Sequence, residues 1–163
     1  MLRLVEDHLR SSQVSRVIYG AIIGLALVVA LEQHSPPAAV MVGTLLATAL
    51  AVRRAELYSE IVGTETRTRA RVERRQLLDI LDEVAAVAIG IAFPAVFFLL
   101  AAAGALELDT AFNFAKWSGL ALICAYGYFA ARLAGSRTTG ALLHAAAVGA
   151  IGGVLIALKA VLH

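Results

Sequence analysis

Apolar positions run almost unbroken along five stretches, about 17–34, 37–52, 84–106, 114–134 and 139–162, each bounded by polar or charged clusters. A helix needs about 20 apolar residues to cross a bilayer, and these runs are near that length. The pattern predicts an all-α protein, an integral membrane bundle of five transmembrane helices. Before the first run, Leu2, Val5 and Leu9 recur at helical spacing, with Arg3, Glu6, Asp7 and Arg10 elsewhere around the helix. Residues 1–16 therefore predict a short amphipathic helix on the membrane surface. Arg16 followed by an apolar run also suits a secretory leader. No small-residue cleavage site follows, because the run ends in Leu31-Glu32-Gln33-His34-Ser35-Pro36, so the segment reads as an uncleaved span.

Within the spans, small residues and prolines punctuate the oil. Gly20 and Gly24 form a GxxxG pair that lets another helix backbone approach closely. Pro36 and Pro37 end one helix and open the next. Pro94 falls inside the third span, where it removes a backbone hydrogen bond and predicts a kink. A polar loop is expected over Glu107–Lys116, with Trp117 at the interface beyond it. Tyr126 and Tyr128 lie deeper than an aromatic belt and are expected to face neighbouring helices. His144 sits just over a turn inside the fifth span, and an ionisable group there is a functional candidate.

The one long polar passage, residues 53–83, predicts a helical hairpin between spans two and three. The second span continues as a helix to about Val62, and Gly63-Thr64 reads as its stop. A second helix then starts near Thr64 to Arg67 and runs into the third span. Glu56 and Glu60 are one turn apart on one face, and Asp79, Asp82 and Glu83 share another. The hairpin would gather these five carboxylates, and clustered oxygen ligands suit a divalent cation. The alternative is local pairing, Glu56 with Arg53 and Arg54, and Glu73 with Arg69, Arg71, Arg74 and Arg75.

Charge placement fixes an expected orientation. Twelve arginines fall on one side of the five-span layout, against Lys116 and Lys159 on the other. The positive-inside rule then places the N-terminus and the 53–83 hairpin in the cytoplasm and the C-terminus outside a cell membrane. A pI near 9.0 could suggest nucleic acid, but the bases flank apolar spans, as topology requires, and nucleic acid is rejected. Composition agrees with a lipid partner: 60% hydrophobic, 16% charged and mean hydropathy +0.81. Rich in alanine and in arginine over lysine, the chain looks like the product of a GC-rich bacterial genome. Cys124 is alone and says nothing of redox compartment. No nucleophile–base set, phosphate loop or His/Cys metal spacing points to an enzyme.

The layout resembles the vacuolar iron transporters and their nodulin-like relatives. Gly20-Ala21-Ile22-Ile23-Gly24-Leu25 is similar to that family's G-x-x-D-G-L pattern, with Ile23 where the aspartate stands. Ala51-Val52-Arg53-Arg54-Ala55-Glu56-Leu57-Tyr58-Ser59 is similar to its S-M-A-x-G-E-Y-x-S pattern, keeping the glutamate and final serine in register. The resemblance implies five spans, a homodimer, and exchange of a divalent metal such as iron or manganese for protons. Taken with the paired acidic faces, it makes Glu56 and Glu60 the expected ligands, assisted by Asp79, Asp82 and Glu83, and His144, Tyr126 and Tyr128 are expected pathway or supporting residues. The competing expectation is a non-transporting membrane scaffold or assembly protein, since the first three spans carry no ionisable group near mid-membrane.

Overall fold

The computed structural model describes residues 13–161, and every regular element among them is helical. Helix α1 is Gln13–Leu31, followed by one 3₁₀ turn, Glu32–His34. Helix α2 is Ala38–Thr68, α3 Arg74–Ala92, α4 Ala95–Ala102, α5 Leu108–Leu133 and α6 Thr138–Val161. Most of the expected surface helix, residues 1–12, lies outside the described residues, and Gln13–Arg16 form the first turn of α1. Three helical stretches are long and apolar enough to cross a membrane: Gln13–His34, Ala38–Thr68 and Thr138–Leu158. They become four if the bent pair α3–α4 is one span. Helix α5 covers the expected fourth span but carries Asp109, Asn113, Lys116 and Arg132, and is not among them.

The hairpin differs from its expected form. Helix α2 does not stop at Gly63-Thr64; it runs unbroken for 31 residues. A single glycine costs a helix about 1 kcal/mol relative to alanine, too little to end one supported on both sides. The Thr66 and Thr68 hydroxyls donate to the carbonyls of Val62 and Thr64 at 2.7 and 2.8 Å and stay within the helical pattern. The stop comes at Arg69, which takes the left-handed conformation with φ 52°. Helix α3 then starts at Arg74 rather than near residues 64–67. Glu73 caps it: its side chain accepts from the backbone of Gln76, and its own N–H donates to Gln76 Oε1 at 3.0 Å.

The loop expected over Glu107–Lys116 is also shorter. Helix α5 begins at Leu108, with the Ala111 N–H donating to the Glu107 carbonyl at 2.9 Å. Its charges misled the sequence reading, because Asp109 sits in the first turn, where the helix dipole favours an acid. The kink at Pro94 is present. Helices α3 and α4 meet there at a bend of 48°, around a fully buried proline ring.

Helix α1 is the axis of the bundle, packed against α3, α5 and α6. Its Leu25 and Val28 are fully buried. Towards its C-terminus, Val28 joins Met41, Leu45, Ala95, Phe98 and Phe112, and the two phenylalanine rings meet edge-on at 4.8 Å. In the middle, Ala21, Leu25 and Val29 pack on Ile123, with Val148 alongside. Leu46, Leu50, Leu99, Leu142, Leu143 and Ile151 are exposed on the outside, as lipid-facing residues would be.

Helices α1 and α3 touch backbone to backbone. A methyl group added at Gly20 would collide with the Val87 carbonyl. One added at Gly90 would lie 2.6 Å from both the Val17 oxygen and the Ala21 nitrogen. Gly24 meets Ile91 in the same way. The GxxxG pair thus serves packing within the chain.

Candidate functional site

The arginine-rich end of the bundle holds its densest polar contact. Arg16 lies one turn before Gly20 on α1, so the glycine seam brings it directly over α3. There Glu83 sits one turn before Val87. Residue i of α1 faces residue i+67 of α3 at each level, Arg16 with Glu83, Gly20 with Val87 and Gly24 with Ile91. A constant offset means that the two helices run parallel in register. Arg16 Nη2 donates to Glu83 Oε2 at 2.7 Å and to Glu60 Oε1 at 2.7 Å. Its Nη1 reaches Glu56 Oε2 at 3.4 Å. One guanidinium therefore ties three helices together, using the planar fork that suits carboxylates.

The four side chains are partly withdrawn from solvent, with Arg16 17% exposed and the acids 28%, 31% and 33%. Burial is the largest single influence on Arg16 and lowers its pKa. The hydrogen bond to Glu60 and the charges of Glu83, Glu60 and Glu56 together outweigh it, and the net displacement is upward. Arg16 is therefore charged throughout the physiological range. Among the described residues, Arg16 is the cation that meets these three carboxylates.

Of the five acids expected together, the structure joins Glu56, Glu60 and Glu83 and leaves Asp79 and Asp82 out. Asp79 is exposed on α3. Asp82 turns to another face, where it lines a half-open cavity of about 330 Å³ with Gln13, Val17, Ala85, Ala86, Ile89 and Tyr126. His144 is exposed on α6 and has no hydrogen bond or ion pair with these acids among the described contacts. Tyr128 is half-buried, with its ring edge-on to Phe129 at 5.7 Å. The local pairs expected as the alternative do not form either: Glu56 turns to Arg16 rather than Arg53 or Arg54, and Glu73 caps α3. Among the described residues, no group of three or more His, Cys, Asp or Glu is arranged to hold a metal ion. The centre of the acid cluster is taken by the guanidinium.

Sequence reasoning missed Arg16, which it assigned to topology alone. The signal was present: Arg16, Gly20 and Gly24 share one helix face at four-residue spacing, as do Glu83, Val87 and Ile91. It also missed the clamp at the opposite end, where Lys116 Nζ donates to Glu32 Oε1 at 2.6 Å and ties α5 to the turn after α1. No family model, curated protein or solved structure matches the chain.

Proposed function

We propose that the protein is a multi-span membrane scaffold without a transport cycle of its own. In this reading it crosses the cell membrane five times, with α5 as the fourth span. The arginine-rich end lies in the cytoplasm, the C-terminus lies outside, and α2 and α3 project a stiff helical hairpin inward. At about 1.5 Å per residue, α2 measures about 46 Å, against about 30 Å of hydrocarbon, so its second half extends well beyond the bilayer.

The observation that carries the proposal is the Arg16 node. The chain itself supplies the positive charge that Glu56, Glu60 and Glu83 would otherwise recruit from solution. The glycine seam above the node supports it, since parallel helices in backbone contact leave no room for a hydrated ion between them. The core supports it too: no polar or charged residue is buried among the described residues. Proteoliposomes loaded with divalent-cation indicators or a pH dye test the proposal. We expect flat traces with iron, manganese, zinc and magnesium; reproducible uptake of any of them overturns it.

One observation favours a second reading, the divalent-cation transporter-like homodimer that the family resemblance implies. Three carboxylates from two helices do converge on one point. A cation displacing Arg16 would then use Glu56, Glu60 and Glu83. Metal binding abolished in a Glu56→Ala/Glu60→Ala variant, together with uptake, would establish it.

A further inference from the structure

Asp82 is one residue from Glu83 yet belongs to a different place. It makes no ion pair with any described residue, and it lies at the rim of the cavity between α1, α3 and α5. The cavity is graded in depth. Gln13 and Asp82 stand at the arginine-rich end, level with the Arg16 node. Val17, Ala85, Ala86 and Ile89 continue one to two turns further in, with Tyr126 opposite on α5. Ala85 and Ala86 create the space, because larger side chains there would fill it. Ile89 is 61% exposed, so the cavity opens sideways towards the lipid as well as to the membrane surface.

These features define a ligand by its chemistry. Asp82 and Tyr126 line the same cavity, and a carboxylate together with an aromatic ring is a pairing that recognises ammonium groups, by charge and by the ring's negative face. The apolar walls below take an alkyl or aryl group, and about 330 Å³ is the size of a small-molecule pocket. An anion would meet Asp82 unfavourably. A hydrated metal ion would gain nothing from alanine and isoleucine walls. We infer that the cavity binds an amphiphilic ammonium cation, with its charged head at Asp82 and Tyr126 and its apolar part against Val17, Ala85 and Ile89. The head could belong to a free amphiphilic amine or to an ethanolamine lipid, which share this chemistry. The site is separate from the Arg16 node and does not depend on whether that node binds metal.

Benzyltrimethylammonium is a suitable probe: water-soluble, permanently charged and small enough for the cavity. Its binding would be followed by calorimetry on full-length protein in nanodiscs of phosphatidylglycerol alone. We expect saturable binding that falls at least tenfold in Asp82→Asn, which keeps the shape and removes the charge. Ala85→Leu, which fills the wall, should give a similar loss, and Asp79→Asn, one turn away and outside the lining, should bind as wild type. Benzenesulfonate, of similar size and opposite charge, should not bind. Equal binding by Asp82→Asn and wild type, or an equal loss in Asp79→Asn, overturns the site. Weaker probe binding in nanodiscs containing phosphatidylethanolamine supports the site and identifies the lipid as its occupant. Unchanged binding there supports a free amphiphile. Circular dichroism and size-exclusion profiles would establish that each variant is folded.

Discussion

Arg16 shows how one residue changes the meaning of three others. Glu56, Glu60 and Glu83 share spacings that are legible in the sequence, but their partner is 40 to 67 positions away on another helix. Local pairing with Arg53 or Arg54 was the nearer choice, yet such pairs contribute only about 0.2–0.5 kcal/mol. A guanidinium that meets three acceptors, less than a fifth exposed, outcompetes them. Arg16→Ala should lower stability by about 2 kcal/mol, because it removes two short charged hydrogen bonds and leaves three acids facing one another. Arg16→Lys should recover only part of the loss, since an ammonium lacks the fork that reaches all three. Denaturant unfolding in mild detergent would measure both, and an Arg16→Ala midpoint equal to wild type would sink the argument. The upward pKa displacement sets the pH behaviour. A raised pKa means that the contribution of Arg16's own ionisation is complete below its unfolded value and is lost only in strong alkali.

Among the elements, apolar runs and prolines were legible because helix length and the missing proline N–H act locally. The breaks at Gly63 and over Glu107–Lys116 were misread, because residue identity there outweighed context. Gly63 sits in a helix that continues through it, and a methyl group placed there would meet nothing within 4 Å. Gly63→Ala should therefore raise stability by about 0.5–1 kcal/mol. Gly20→Ala should do the reverse, costing about 1–3 kcal/mol or more, since the Val87 carbonyl cannot yield without moving α3. Thermal unfolding of the two variants should shift in opposite directions. Shifts of the same sign would mean that the seam is not as close as described.

For the whole molecule, the all-α class and the grouping of charge at one end followed from hydropathy and arginine placement. The neighbours of each helix did not, because apolar faces alone do not say which helix covers which. The parallel offset between α1 and α3 answers this for one pair. Parallel helices enter from the same side, so α1 and α3 both start at the arginine-rich end and α2 returns between them. The proposed orientation makes a direct prediction. A phosphatase fused after His163 should be active outside the cell, while a green fluorescent protein at the same position should stay dark. The opposite result would remove one span and overturn the five-span layout.

The same offset bears on the order of assembly. When α1 leaves the ribosome, its partner in the seam does not yet exist, because the facing residues lie 67 positions later. Only α2 follows directly, and although its Glu56 and Glu60 meet Arg16, most of its packing is against α3 and α4. Until α3 arrives, the Gly20–Gly24 groove is open and Arg16 has no Glu83. An unfilled glycine groove accepts any helix that fits, including the same groove on a second nascent chain. A chain that ended before α3 would leave this groove uncovered, whereas the complete chain covers it with Gly90 and closes Arg16 on Glu83.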